Sequence, residues 1–242
     1  FLLMFKILEN DVRVNQTIEL INVFAAVRSP DEPYIVDDIA YGSEAERNAD
    51  PCTASGCMWP KSADGHVYVP YTLSTSREVA VIERALQSFD SFSCIRLIRR
   101  TNERDYLNIQ SLNGCYSYIG RLYYAQELSL QQSGCVYYDT VQHEVLHALG
   151  FNHEQTRSDR DEHIRILWEN ITPGLSHNFD KINTLNQGTP YDYGSVMHYH
   201  KYAFSKNNQP TLVAIPNSNV EFGYATEMSQ MDILRLNRLY GC

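Results

Sequence analysis

A chain of 242 residues with 43% hydrophobic and 20% charged side chains can bury a sizeable core, as one domain or two tightly joined lobes. Its net charge of −9 argues against nucleic acid and anionic membrane surfaces as partners, and no apolar run is long enough to span a bilayer. Six cysteines that fit no zinc-finger spacing, with N-x-S/T sequons at Asn15 and Asn170, point to an oxidising, secretory compartment.

The opening Phe1-Leu2-Leu3-Met4-Phe5 reads as the tail of a signal peptide or, preferred here, as the start of a prosegment helix. Ile18, Ile21 and Val23-Phe24 repeat at rough helical spacing, and Ser29-Pro30-Asp31-Glu32-Pro33 then breaks the pattern. In Ile35-Val36-Asp37-Asp38-Ile39, two carboxylates interrupt an apolar, strand-like stretch. Tyr41–Arg47 is polar and aperiodic, suited to an exposed linker. Cleavage after Arg47 requires a trypsin-like protease and frees Asn48 as a new amino terminus. Residues 1–47 hold nine acidic and four basic side chains, a net −5 on about a fifth of the chain.

Val67–Leu73 predicts a strand, with Pro70 suggesting a sheet edge. Thr75-Ser76-Arg77-Glu78 has capping-box spacing, and Val79, Ile82, Leu86 and Phe89 form one apolar helix face. Cys94–Arg99, Tyr106–Gln110, Tyr116–Ile119 and Leu128–Leu130 follow as short strands. Strands first and a helix afterwards predict an α+β first lobe, with the next helix packed under the sheet by Val145, Leu146, Ala148 and Leu149.

That helix carries His143-Glu144-Val145-Leu146-His147-Ala148-Leu149-Gly150-Phe151-Asn152-His153-Glu154. Histidines four apart stand one turn above each other, so both rings reach one ion. Glycine at 150 permits the left-handed turn that brings His153 to the same ion. Three imidazoles leave one position of a tetrahedral zinc open, the arrangement of catalytic sites, and Glu144 is placed to act as general base. An acidic segment ahead of such a site suggests masking by a carboxylate, with Asp37 and Asp38 as the candidates.

The run continues as Gln155-Thr156-Arg157-Ser158-Asp159-Arg160-Asp161, and 143–161 resembles the astacin signature HExxHxxGFxHExxRxDRD at every fixed position. Ser195-Val196-Met197-His198-Tyr199 is similar to that family's Met-turn with its tyrosine. With Asn48-Ala49-Asp50-Pro51-Cys52, the six cysteines resemble the teleost six-cysteine group of hatching enzymes and nephrosins. The resemblance covers about residues 48–242.

It implies a two-lobed α+β metzincin fold: a twisted sheet plus helices in a first lobe (about 48–153), an irregular second lobe (154–242) with a final helix, and residues 1–47 as an inhibitory prosegment. It implies a secreted, monomeric zinc endopeptidase acting on protein substrates, with one Zn2+ held by His143, His147 and His153. Glu144 is the implied base, Tyr199 a phenol that ligates zinc at rest and swings to the oxyanion, and Met197 the methionine beneath the metal. The implied disulfides are Cys94–Cys242, Cys115–Cys135 and Cys52–Cys57. Family prosegments carry F-x-G-D, and Asp38 takes the aspartate position, but Asp37 stands where glycine is usual, so either aspartate can be the ligand. Gly120–Leu128 is the implied edge strand above the cleft, with Arg121, Tyr123 and Tyr124 equally readable as ordinary edge residues. The mature terminus is expected near Glu154, for which composition alone suggests a salt bridge to Arg157.

After Asp161, Asn170-Ile171-Thr172-Pro173-Gly174 and Gln187-Gly188-Thr189-Pro190 are loop signals. His198 and His200 are read as non-ligands, and His66, His163 and His177 as surface residues. Ser229–Asp232 has capping-box spacing before a helical stripe of Ile233, Leu236 and Tyr240.

Overall fold

The computed structural model describes residues 33–41, 56–74 and 79–242. The readings of the opening run, the 18–27 helix, Asn15, the Arg47–Asn48 bond, Cys52 and the Thr75–Glu78 cap lie outside the described residues. Among the described residues, nine strands form two sheets: β1 (Tyr34–Val36), β2 (Ile39–Tyr41), β3 (Val67–Leu73), β4 (Ile95–Arg99), β5 (Tyr106–Gln110), β6 (Cys115–Tyr118), β7 (Ala125–Leu130), β8 (Ile164–Ile166) and β9 (Leu212–Ala214). The main sheet has the order β1-β2-β6-β7-β5-β3-β4, and β8 pairs with β9 alone.

Alternation drives the main sheet. Val67, Val69 and Tyr71 of β3, Ile95 and Leu97 of β4, and Leu107 and Ile109 of β5 turn one face into a common core. Helix α1 (Val79–Ser88) buries Ile82, Ala85 and Leu86 there. Helix α2 (Tyr138–Ala148) packs against α1 and β6 and contributes the buried Val145, Leu146 and Ala148, with Leu149 following. Full burial of a leucine such as Leu146 is worth ~1.5–3 kcal/mol, so this apolar face fixes α2 beneath the sheet.

Beyond α2 a second, smaller core of Ile164, Ile166, Phe179, Phe204, Leu212 and Phe222 is surrounded mostly by short 3-10 turns and loops. Helix α3 (Gln230–Tyr240) closes the chain. Its capping box forms as predicted: the Met231 and Asp232 amides donate to the Ser229 hydroxyl, and the Ser229 amide donates to Asp232. Leu236 and Tyr240 carry α3 back onto the first core. Cys94–Cys242 bonds the chain end to the start of β4, and Cys115–Cys135 ties β6 to the segment before α2. Cys57 is also disulfide-bonded.

Three local readings are corrected. Pro70 is not on an edge strand, because β3 lies between β4 and β5. It is tolerated because pairing to β5 begins only at Tyr71, so no partner there requires the amide that proline lacks. The strand-like run 35–39 is a hairpin whose two-residue turn is Asp37-Asp38, with Val36 opposite Ile39. Asp37 takes a left-handed φ of 61°, which aspartate adopts more readily than β-branched residues do. Finally, Gly120–Leu128 is not the edge: β7 is interior, between β6 and β5. Cys115–Tyr118 instead lies between β7 and β2, and β2 pairs with it in parallel register, Ile39 opposite Ser117.

Candidate metal centre

The helical spacing of α2 brings His143 and His147 together edge-on, with ring centroids 4.7 Å apart. After Leu149 the chain turns at Gly150, whose φ of 105° is open to glycine and costly to other residues. That turn delivers His153 to within 5.3 and 4.8 Å of the other two rings. The Glu154 amide donates to the Met197 carbonyl at 2.9 Å, fastening the third histidine to the buried Met-turn.

Backbone carbonyls orient two of the rings. His143 Nδ1–H donates to Val196 O at 2.8 Å and His147 Nδ1–H to Phe151 O at 2.7 Å, which leaves each Nε2 lone pair facing the shared centre. Asp38 reaches into that centre from the hairpin turn. Its Oδ2 lies 2.9 Å from His143 Nε2, and its Oδ1 lies 3.3 Å from His147 Nε2 and 3.0 Å from His153 Nε2. The Ser117 amide donates to the Asp38 carbonyl at 2.9 Å and docks the turn onto β6.

Four donors, one carboxylate oxygen and three imidazole nitrogens, lie within 4.8 Å of one another. Neighbouring vertices of a tetrahedron with arms of about 2.0–2.1 Å are separated by about 3.3 Å, close to these spacings. Buried His147 Nε2 and Asp38 Oδ1 have no hydrogen-bond partner, an arrangement costly without an ion between them. The donor set fits zinc. His198 and His200 stand outside the cluster, as expected. His66, His163 and His177 are half-buried rather than exposed.

Charge is concentrated here. Burial opposes an ionised Asp38, but the three imidazoles hold its carboxyl well below the usual range. Burial lowers His143, yet Asp38 beside it raises the ring overall, whereas burial pushes His147 down to about 4. Glu144, 1% exposed and with Oε2 unpartnered, is raised well above the ordinary value by burial, then by the Asp38 and Asp37 charges. Asp37 is raised by burial and by Asp38, and accepts a hydrogen bond from the Tyr199 hydroxyl. Burial, then Asp37, raises the Tyr199 phenol.

No sequence pattern pairs Asp37 with Tyr199; the one signal is an aspartate at a position where a left-handed turn favours glycine. Glu154 pairs with Arg157 at 3.4 Å, as composition suggested, but its main partner is Arg235 at 2.6 and 2.9 Å, with the Asp192 amide donating at 2.7 Å. A pocket open to solvent lies beside this cluster, bordered by Gly150, Asn152, Leu185 and Asn186. Asn170 is half-buried, its amide donating to Pro210 O and its carbonyl accepting from Asn207. Among the described residues no helix is long and apolar enough to cross a membrane.

Comparison with known proteins gives the same picture. The peptidase family described as Astacin matches residues 56–241. High choriolytic enzyme 1 of Oryzias latipes is 50% identical over 200 residues, covering 81% of this chain and 74% of that protein. Low choriolytic enzyme of the same fish is 48% identical over 201 residues, covering 81% and 74%. The solved structure of high choriolytic enzyme 1, described as a hatching enzyme zinc-protease, superposes with a TM-score of 0.77 at 49% identity, covering 81% of this chain and all of that one. A structure of myroilysin, 18% identical with a TM-score of 0.54 over 77% of this chain and 97% of its own, shares the fold.

Proposed function

The chain belongs to the astacin family and is a zinc metalloendopeptidase, and from that premise we propose that it is a latent, secreted zymogen whose prosegment, residues 1–47, blocks both the metal and the substrate edge of a catalytic domain spanning 48–242. The observation that carries this reading is the convergence of the Asp38 carboxylate with the Nε2 atoms of His143, His147 and His153. In this reading Asp38 fills the ligand position a reactant needs, and β2 occupies β6, the edge along which an extended peptide adds by backbone hydrogen bonds.

His143, His147 and His153 are the residues that hold the zinc. Bound there, zinc supplies a Lewis acid that polarises the scissile carbonyl and lowers the pKa of a water to about 7. Glu144 accepts the proton of the attacking water on its unpartnered Oε2 and passes it to the leaving amine. Tyr199, freed from Asp37, turns its hydroxyl toward the developing oxyanion and donates to it. Met197, 3% exposed, is the methionine assigned by the family's Met-turn to the floor of this centre.

Activation is a cut by a trypsin-like protease after Arg47. The freed Asn48 terminus turns inward to the pocket beside Glu154, whose carboxylate Arg235 and Arg157 already hold in place. The processed enzyme works as a monomer on extracellular protein, and similarity to choriolytic enzymes favours an egg-envelope protein over a nephrosin-type substrate. The test uses trypsin-treated wild-type and Glu144→Ala proteins on casein and egg-envelope protein. Wild type is expected to hydrolyse both, and Glu144→Ala to bind one equivalent of zinc without hydrolysis. Activity retained in Glu144→Ala removes that residue from the mechanism.

A further inference from the structure

We propose that His198, Tyr191 and Gln155 are positioning residues that clamp the backbone of Tyr199, so that only its side chain moves between the latent contact and the oxyanion. The inference rests on the role assigned to Tyr199 above.

Both backbone groups of Tyr199 are held by buried side chains. Its amide donates to Gln155 Oε1 at 3.1 Å, and Gln155 is fully buried. Its carbonyl accepts from His198 Nδ1–H at 2.7 Å. That bond sets the tautomer, because Nε2 is then left as an acceptor, and the Tyr191 hydroxyl donates to it at 2.8 Å. The result is a relay from Tyr191 through His198 to the Tyr199 carbonyl.

The relay has little freedom. The His198 ring lies 4.6 Å from the Phe222 ring and edge-on to Tyr191, and His163 stacks on Tyr191 at 4.8 Å. Gly223 seals the chain beyond Tyr199: a Cβ at that position would stand 2.2 Å from the His200 Cα. The Tyr199 ring packs against the rings of His153, Phe179 and Phe204, and its hydroxyl donates to Asp37 of the prosegment. A fixed main chain with a phenol held at its tip suits a side-chain swing. Misplacement of a reacting group by 1 Å costs roughly 10²-fold in rate, so a loosened backbone is felt in turnover.

The test compares processed enzymes carrying His198→Leu, His198→Asn, Tyr191→Phe and Gln155→Met, each with and without Tyr199→Phe. His198→Leu is expected to lower kcat by about 10- to 100-fold with KM little changed, since the phenol acts only as the oxyanion forms. His198→Asn, whose side-chain amide can replace Nδ1–H, is expected to recover most of that loss. In the Tyr199→Phe background the His198→Leu effect is expected to fall below about twofold. Faster hydrogen exchange of the Tyr199 amide in Gln155→Met reads the clamp without turnover. If His198→Leu fails to fold, Tyr191→Phe, which removes one hydroxyl, is expected to lower kcat by a few fold with the same dependence on Tyr199. Wild-type kcat in these variants, or an equal loss with and without the phenol, overturns the clamp. Full activity of Tyr199→Phe alone overturns instead the role given to the phenol.

Discussion

The Tyr199 hydroxyl donates to the carboxylate of Asp37, 162 positions earlier in the chain. Asp37 reaches it from a left-handed φ of 61° at a hairpin turn, and the next residue, Asp38, points into the three histidines. Adjacent carboxylates thereby have different main partners, with Asp37 Oδ2 also 3.7 Å from His153 Nε2.

This division of labour separates two variants. Asp38→Ala is expected to give peptidase activity before any cleavage. Asp37→Gly, which relieves the left-handed backbone and frees Tyr199, is expected to stay latent because Asp38 remains in place. Peptide hydrolysis by the uncut proteins checks this, and activity in Asp37→Gly with latency in Asp38→Ala reverses the assignment.

Gly150 connects backbone geometry to metal affinity. At its φ of 105°, alanine is strained by about 1–2 kcal/mol, and the strain falls on the turn that carries His153. Gly150→Ala is expected to lower both the melting temperature and zinc affinity, measured by competition with a chelator. Unchanged affinity would detach the third ligand from this turn.

Arg235 and Glu154 are both buried and joined at 2.6 Å. Removing the cation leaves the carboxylate with the weaker Arg157 contact and the Asp192 amide, and breaking such a pair costs about 3–5 kcal/mol. Arg235→Met is expected to lower stability by that amount in denaturant unfolding, while a change under about 1 kcal/mol would mean that Arg157 and the Asp192 amide suffice.

Limited trypsin treatment is expected to yield one stable product beginning at Asn48, with activity appearing in step. Terminal sequencing checks the boundary. A fully active product that begins elsewhere contradicts it.

Much of the centre was legible because its determinants are local. His143, His147, Gly150 and His153 lie within eleven residues, so helical spacing and one glycine turn bring the rings together. The α3 cap and the strand alternation are local in the same sense. What escaped depends on distant pairing. The β2–β6 ladder, the Asp37–Tyr199 contact and the interior place of β7 join segments with no shared periodicity. Pro70 misled because an interior strand tolerates proline where its neighbour starts one residue later.

The most direct test is the anomalous signal at the zinc edge from crystals of the uncut chain. One peak within bonding distance of His143, His147 and His153 Nε2 and of an Asp38 carboxylate oxygen is the predicted result. No peak, or a peak from which Asp38 or any of the three rings is turned away, would contradict it.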